Sequence, residues 1–309
     1  MNVGRPSGQI AGAKGSVVPR LFGALLFALA QLVFSGLSRA ASLPHSPKPS
    51  YGQLAIVIDD LGYSRASGLR AARLPGPLTY AVLPFTPYGG LLSELLHRRG
   101  REVILHLPME PAGPGHPGPG AIRTSMAPAT VVTSVRAALA AVPHAAGISN
   151  HMGSRATADR RIMDLVMHTL EEWDPSPRRP EPRPAATRPG LFYLDSRTTA
   201  LSVSGPAAER YHVTHLARDV FLDNARDRRL IEVQIGKAVG LVKKRGEAIA
   251  IGHPYPETLE VLERVLPRLL EVGIALAPVS ELASHRMAFH RLAAETTGKA
   301  SGSNEALEN

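Results

Sequence analysis

The sequence predicts an α/β fold built on a parallel sheet, either a barrel or an open doubly wound sheet. Short apolar runs alternate with longer amphipathic stretches in one unbroken series, with roughly eight strand–helix alternations. Apolar residues make up 44% of the 309 residues and charged residues 20%, which excludes wholesale disorder and collagen-like repeats. We therefore expect one globular α/β domain.

The predicted strands are short, apolar and rich in β-branched residues, and turn residues bound them. In chain order they lie at 54–58, 78–84, 102–107, 146–150, 191–195, within 213–223, at 248–254 and within the closing segment 274–282. The predicted helices show amphipathic spacing. They lie at 64–74, 88–99, 127–141, 159–173, 206–211, 224–245 and 257–272. No predicted strand is followed by GxGxxG or by a P-loop, so nucleotide binding is not expected and the doubly wound alternative loses its main support.

Residues 1–40 have the layout of a secretory signal peptide. Lys14 and Arg20 precede an uncharged apolar run at 21–37, and small residues suited to cleavage occur at 38–40. The apolar run also reaches the lower length limit of a membrane span, so an uncleaved membrane anchor is the alternative. In either case we expect the working domain to be exported to the periplasm or cell envelope, with membrane contact only through this segment.

Three further segments complete the predicted organisation. Residues 41–52 form a Pro/Ser linker, 53–283 form the single working domain, and 284–309 form a polar tail. The Pro-rich segment 174–189 is predicted to be a surface insertion within the domain, because its prolines exclude a helix or a central strand.

The formal net charge of +9 does not indicate nucleic-acid binding. Residues 1–41 carry four of these charges and Asp174–Gly190 carries two, which leaves +3 for the rest of the chain. No basic run with interleaved aromatic residues remains, so we expect no nucleic-acid partner. There is no cysteine, which excludes disulfides, thiolate nucleophiles and cysteine-based metal sites.

Polar side chains occupy the carboxyl ends of the predicted strands, where the reactive groups of parallel α/β folds gather. In order they are Asp59-Asp60, His106, Asn150-His151, Asp195, Asp219 with Asp223, and His253. Such residues cost desolvation free energy unless they are paired or bind a metal. Of the twelve histidines, only His106, His151 and His253 directly follow apolar strand runs. Two imidazoles and one carboxylate are typical of a hydrolytic zinc-type site with an open position for water.

An adjacent carboxylate pair such as Asp59-Asp60 can divide the work of such a site. One carboxylate can bind the metal while the other accepts a proton from the attacking water, because close carboxylates with different partners acquire different pKa values. A further histidine across the site can protonate the leaving group.

Seven strings in the sequence carry a resemblance to a known family. They are IVIDDLG (56–62), LHLPMEP (105–111), NHMGS (150–154), LDSRT (194–198), RDVFLDN (218–224), IGHPYPETL (251–259) and PVSEL (278–282). Over residues 53–283 the chain resembles the divergent polysaccharide deacetylases, exported bacterial proteins related to the carbohydrate esterase family four deacetylases. The resemblance implies a distorted (β/α) barrel with about seven or eight parallel strands.

The resemblance also implies a divalent metal, with zinc as the first choice. Asp60 would be the carboxylate ligand and His106 the first imidazole ligand. Glu110 stands where the wider superfamily has its second histidine, so it is either a carboxylate ligand or a structural residue capping the Pro-rich loop. His151 is then the candidate for the remaining imidazole ligand.

By the same resemblance, Asp59 would be the catalytic base and His253 the acid that protonates the leaving group. The superfamily's Arg-x-Pro-Tyr motif has no clear counterpart, which leaves oxyanion stabilisation unassigned. The residues expected to contact substrate or support the site are Asn150, Asp195, Arg218 and Asp219.

These expectations favour an exported metal-dependent hydrolase that removes N-acetyl groups from an envelope polysaccharide or peptidoglycan-type glycan. The alternative is a non-catalytic envelope protein that binds a glycan or a partner on the same barrel. Trp173 is the only tryptophan, and the small number of aromatic residues lowers the case for a pure sugar-binding module.

Export can be tested by mass spectrometry of the protein from its native host. A cleaved signal predicts a mature N-terminus near Ala41, because the small residues of the cleavage site end there. An intact N-terminus in the membrane fraction would select the anchor, and an intact Met1 on cytoplasmic protein would contradict export.

Overall fold

The computed structural model describes residues 51–173 and 190–287. The predicted signal peptide or anchor at 1–40, nearly all of the 41–52 linker and the 174–189 insertion lie outside the described residues, as does the tail beyond 287. Within the described part of the chain, no helix is both long enough and apolar enough to cross a membrane.

One parallel sheet organises the described residues. Its strands are β1 (Gly52–Leu61), β2 (Thr79–Val82), β3 (Glu102–Met109), β4 (Ala145–Met152), β5 (Phe192–Asp195), β6 (His215–Ala217), β7 (Val220–Phe221), β8 (Glu247–Gly252) and β9 (Ile274–Leu276). The strand order is β6-β5-β4-β3-β2-β1-β8-β7, and β9 pairs with the start of β1. Every pairing between these strands is parallel, which confirms the predicted α/β class.

The two outer strands of this order belong to one short stretch of chain. Strand β6 pairs with β5 and strand β7 pairs with β8, yet only Arg218 and Asp219 separate them in sequence. The amide of Arg218 donates to the carbonyl of Asp195 (2.9 Å), and the amide of Asp219 donates to that of Ile249 (2.9 Å). The same segment therefore joins both ends of the sheet, and the sheet curls into the expected distorted barrel with a seam between β6 and β7.

The helices lie between successive strands, as the alternation predicted. They are α1 (Arg65–Ala71), α2 (Gly89–Arg98), α3 (Pro128–Ala141), α4 (Arg160–Glu171), α5 (Ser204–Arg210), α6 (Arg228–Arg245) and α7 (Pro256–Leu269), followed by a helical segment described from 279 to 287. Local signals set their ends: the Ser64, Asp159 and Asp227 side chains cap α1, α4 and α6. Gly246 ends α6 with a left-handed backbone.

Two apolar clusters fill the barrel wall and its interior. Leu54, Ile56 and Ile58 of β1 join the larger cluster with the helices, whereas Ala55 and Val57 join a smaller one that also contains residues of 277–283. Alternate side chains of a strand face opposite sides of the sheet, so both faces of β1 are buried. The smaller cluster is therefore the packed interior of the barrel.

The segment after β9 closes the end of the barrel where the strands begin. Only Ile274–Leu276 of the closing segment 274–282 is strand, and a helical segment begins at 279, just after Pro278. The amide of Val279 donates to the Thr79 hydroxyl (3.0 Å), and Thr79 is the first residue of β2. With this end of the barrel closed, the site-forming side chains gather at the carboxyl ends of the strands.

A matched pair of leucine substitutions tests this packing. Leu54 is fully buried in β1 and Leu201 is 74% exposed. We expect Leu54→Ala to lower the free energy of unfolding by about 3–5 kcal/mol, because it leaves a cavity beside three paired strands. Leu201→Ala should change it by no more than about 0.5 kcal/mol. Urea unfolding measures both, and equal effects would contradict the described burial.

Candidate metal and catalytic site

The end of β1 brings two consecutive carboxylates to the same side of the sheet. Side chains of adjacent strand residues normally point to opposite faces. Here the register between β1 and β2 is interrupted between Ile58 and Leu61, and Asp60 has a left-handed backbone with φ of 57°. Asp59 and Asp60 consequently both reach His106 Nε2, at 3.5 Å from Asp59 Oδ2 and 3.1 Å from Asp60 Oδ1.

Asp60, His106 and His151 form the one candidate metal cluster found among the described residues. One possible ligand atom from each lies within 4.8 Å of the other two. His151 Nδ1 is 2.7 Å from Asp60 Oδ1, and Ser149 Oγ lies 2.7 Å from His106 Nδ1, leaving His106 Nε2 to face the carboxylates. This arrangement brings together the three predicted ligands.

The polar atoms at the centre of this cluster fit a cation. Asp59 Oδ1 and Asp60 Oδ1 are buried, and no donor among the described residues makes an aligned hydrogen bond to either atom. Asp60 Oδ1 is close to two imidazole nitrogens, so these three atoms are spaced like ligands around a shared point. Asp59 Oδ1 is costly to bury without a donor, and the imidazoles beside Asp60 Oδ1 bind metals as well as protons, so a divalent cation would satisfy both carboxylates.

The two carboxylates differ electrostatically although they are adjacent. Burial raises the pKa of Asp59, and the nearby histidines offset this only in part. Burial also acts to raise the pKa of Asp60, but its contacts with His106 and His151 outweigh burial and hold that pKa far below the usual range. Different partners thus shift the pKa values of the two neighbouring carboxyl groups in opposite directions, as expected for this pair.

His253 approaches the cluster from the end of β8. Its Nε2 is 3.5 Å from Asp60 Oδ2, and its Nδ1 is 3.0 Å from Asp223 Oδ1. Asp223 Oδ2 accepts from the His253 amide (2.6 Å) and from the Thr258 hydroxyl (2.7 Å). Burial acts to lower the pKa of His253, but the hydrogen bond to Asp223 and the charge of Asp60 outweigh it and raise that pKa to about 9.

Glu110 is not a member of the metal cluster, and its side chain bonds to the loop that follows β3. Its Oε2 accepts from both the amide (2.6 Å) and the hydroxyl (2.7 Å) of Thr124, and its Oε1 is 3.6 Å from Arg155 Nε. The hydrogen bonds from Thr124 lower the pKa of Glu110. Glu110 therefore ties the Pro-rich loop to the barrel, and the expectation that it binds metal is not supported.

Asn150 and Asp195 hold the loop that follows β5. Asn150 Oδ1 accepts from the Ser196 amide (2.9 Å), and Asp195 Oδ1 accepts from the Arg197 amide (2.7 Å). The other oxygen of Asp195 accepts from the Ser204 hydroxyl (2.8 Å). Asn150 and Asp195 thus bind backbone amides of the loop around Arg197, and neither belongs to the metal cluster.

Arg218 and Asp219 lie at the seam of the barrel. Arg218 donates to the carbonyls of Ser196 (2.8 Å) and Arg197 (3.1 Å). Asp219 Oδ1 pairs with Arg245 (3.0 Å), and its Oδ2 accepts from the Ile249 amide (2.9 Å). Asp219 therefore contacts none of the cluster residues, and it supports the seam instead.

Two features of the site were not assigned from the sequence. The sequence marks Asp223 at a strand end without indicating a role, and in the structure Asp223 orients His253. The second feature is a set of exposed aromatic side chains on the loops that follow β1 and β2, at Tyr63 (55% exposed), Phe85 (48%) and Tyr88 (36%). Their spacing has no periodicity, so only the fold reveals that they share one rim.

Comparisons with known proteins agree with this architecture. The chain is 34% identical over 233 residues to the uncharacterised protein YibQ of Escherichia coli K12, covering 75% of this chain and 68% of that protein. It is 35% identical to an uncharacterised protein of Haemophilus influenzae, covering 71% and 72% of the two chains. A crystal structure of an uncharacterised Agrobacterium tumefaciens protein superposes with a TM-score of 0.67 at 23% identity, covering 75% of this chain and 89% of that one, and this likeness concerns the fold alone.

The sequence model described as "Divergent polysaccharide deacetylase" matches residues 56–283. That span runs from the first buried strand to the segment that closes the barrel, and it includes every residue of the metal cluster together with His253. The chain therefore belongs to the divergent polysaccharide deacetylase family.

Proposed function

We propose that this protein is a metal-dependent hydrolase that removes N-acetyl groups from an envelope glycan. The observation that carries the proposal is the convergence of Asp59 and Asp60 on His106 and His151, with two carboxylate oxygens lacking aligned donors. Membership of the deacetylase family supports the same reaction class. Export to the periplasm or envelope, predicted from residues 1–40, belongs to this proposal.

Asp60, His106 and His151 are the residues that would hold the metal. One carboxylate and two imidazoles suit zinc, and a divalent ion bound there supplies a Lewis acid and lowers the pKa of coordinated water. Three protein ligands with an open position are what hydrolytic sites use. The separate structural role of Glu110 is therefore compatible with catalysis.

In this proposal Asp59 is the general base. Its Oδ2 faces His106, whereas its Oδ1 is buried and has no aligned donor among the described residues, so that oxygen keeps an unused acceptor position. The side chain is buried beside the ligands rather than free in solvent, with 2% of the residue exposed. Its position is fixed by the same distortion of β1 that places Asp60.

In this proposal His253 protonates the departing amine. Asp223 holds Nδ1 at 3.0 Å, which leaves Nε2 facing the cluster at 3.5 Å from Asp60. A carboxylate that accepts from Nδ1–H fixes the orientation of the ring and stabilises the imidazolium, in which Nε2 also carries a proton. Attack and protonation would thus use separate groups on separate strand ends.

The aromatic rim supports a glycan as the substrate. Tyr63, Phe85 and Tyr88 are held together because the Tyr88 amide donates to the carbonyl of Gly62 (2.9 Å). Phe85 has a left-handed backbone with φ of 56°, which is costly for a bulky residue, and a side chain at Gly120 would lie 2.5 Å from its ring. A strained and exposed ring next to the end of β1 suits stacking against the apolar face of a sugar.

Metal binding can be measured on the purified protein. We expect close to one zinc ion per chain and an increase in melting temperature with added zinc, since a ligand selective for the folded state adds RT ln(1 + [L]/Kd) to stability. At a free zinc concentration of about 100 times Kd, this increment is about 2.7 kcal/mol. His106→Ala should abolish both effects, because it removes a ligand.

The matched control for that experiment is His285→Ala, since His285 is exposed on the last described helical segment. It should bind zinc as the wild type does. Equal zinc content in the wild type and His106→Ala would contradict the assigned ligand set.

The roles of the two carboxylates can be separated by conservative substitutions. Asp59→Asn should keep the metal content near that of wild type and lower acetate release from N-acetylated chito-oligosaccharides or peptidoglycan fragments by about 100-fold or more, the usual effect of losing a general base. Asp60→Asn should lose metal and activity together, because a neutral amide is a poor replacement for a ligating carboxylate. His253→Ala should retain metal and lose rate.

Metal content and acetate release are measured on the same samples. Loss of metal in Asp59→Asn would show that the roles are reversed or shared. Wild-type protein that binds both metal and glycan but releases no acetate would establish the non-catalytic glycan-binding alternative.

A further inference from the structure

A basic cavity lies at the seam of the barrel, outside the metal cluster. It consists of two adjoining cavities of about 470 and 510 Å³, both lined by Arg218, Asp219 and Leu241. Arg197 and Arg245 line the first, and Lys237 and Phe221 line the second. None of Asp60, His106 and His151 lines either cavity, so this seam cavity is distinct from the metal cluster.

The charges lining the seam cavity are strongly unbalanced. Four side chains are cationic, namely Arg197, Arg218, Arg245 and Lys237, and Asp219 is the single acid among the lining residues. Asp219 is already bonded through both oxygens, to Arg245 and to the Ile249 amide. One of the four cations is thus paired, and the cavity retains an excess of positive charge.

Arg218 is held in place by neutral groups rather than by an acid. Its guanidinium donates to the carbonyls of Ser196 and Arg197, and none of the ion pairs among the described residues includes Arg218 or Arg197. Burial lowers the pKa of Arg218, and the positive charge of Arg197 acts in the same direction. Arg218 is half-buried and Arg197 is exposed beside it, and an anion between the two guanidinium groups would relieve their mutual repulsion.

The backbone conformation at Arg197 is fixed by the surrounding residues. Arg197 has a left-handed backbone with φ of 50°, and its amide donates to Asp195. A left-handed backbone at a residue other than glycine is costly and persists where the surrounding structure enforces it. Asn150 and Asp195, which hold this loop, therefore place Arg197 at the cavity.

A single aromatic ring connects the seam cavity with the catalytic residues. The Arg218 guanidinium lies 4.7 Å from the Phe221 ring centroid, and the Phe221 and His253 rings are 5.3 Å apart. His253 in turn faces Asp60 at 3.5 Å. Phe221 therefore contacts both a residue that lines the seam cavity and the proposed leaving-group acid.

We propose that the seam cavity binds a carboxylate carried by the glycan substrate, with Arg197, Arg218 and Arg245 as its recognition residues. Planar guanidinium groups match carboxylate geometry and form the strong charge-assisted hydrogen bonds. The inference rests on the proposed function and narrows it, because the substrate becomes an acidic N-acetylated glycan rather than a neutral one. Asp219 is then a positioning residue that holds Arg245 at the cavity.

Calorimetry on the full-length protein tests the proposal without requiring turnover. The probes are a peptidoglycan tetrasaccharide with free lactyl carboxylates and the same tetrasaccharide with those carboxylates amidated. We expect the acidic form to bind about 10-fold more tightly at low salt, with the preference falling as ionic strength rises. Equal binding of the two forms by the wild type would overturn the proposal.

The variants Arg197→Gln and Arg245→Gln locate the preference at the seam cavity. Each should bring the roughly 10-fold preference for the acidic form closer to equal binding, because each removes one of the three proposed charge-assisted partners. Arg98→Gln is the matched control, because Arg98 is exposed on α2 and should leave the preference unchanged. Melting temperatures establish that each variant is folded.

Two further outcomes are informative. A wild-type preference that both seam variants retain would place the carboxylate elsewhere and overturn the assignment. Inorganic phosphate that binds in a manner dependent on Arg197 and Arg245, without any preference between the two glycans, would make the cavity a site for a free anion and overturn its glycan role. Failure of acetate release would affect the proposed function alone, since binding is measured separately.

Discussion

Two consecutive carboxylates on one strand would ordinarily point to opposite faces of the sheet, one into the barrel wall and one into its interior. The register break after Ile58 and the left-handed backbone of Asp60 prevent this, and both side chains face the same site. A left-handed residue other than glycine costs about 1–3 kcal/mol, although aspartate tolerates it better than most. The other residues of the site, His106, His151 and His253, all contact one or both of these carboxylates.

The distortion is sustained by the strand that carries it. Strand β1 pairs with β8 along Gln53–Ile58, with β9 at its start and with β2 towards its end, and its side chains are buried on both faces. A strand held by three neighbours has little freedom to relax into regular register. The packed and closed end of the barrel thus supports strain at the open end, where the ligands converge. Folding stability and site geometry are coupled through this one strand.

Much of the site could be predicted because its residues are marked locally. Asp60, His106 and His151 each interrupt or end an apolar strand, and parallel strands bring such ends together. The roles of Asp223 and Glu110 could not be predicted in this way. Asp223 acts across 30 residues on His253, and Glu110 acts across 14 residues on Thr124, so both depend on how the strands and loops pack.

The position of Asp219 at the seam also depends on how the strands pack. The sequence places Asp219 four residues before Asp223, in the same predicted strand region. In the fold the chain changes partner from β5 to β8 between Arg218 and Asp219. Asp219 then pairs with Arg245 beside β8, whereas Asp223, beyond the end of β7, bonds to His253. The seam is a tertiary feature that no periodicity in the sequence encodes.

The seam brings opposite charges close to Phe221. The carboxylates of Asp59 and Asp60 would attract a cation to the cluster, and Arg197 and Arg218 would attract an anion to the seam cavity. A divalent ion would neutralise the two carboxylates, so an acidic substituent of a substrate would be directed to the guanidinium groups rather than competing for the metal. A substrate with a neutral amide near an acidic group would thus meet complementary charges at both positions. The seam segment that contains β6 and β7 would thus set the orientation in which the acetamido group of the substrate is presented to Asp59 and His253.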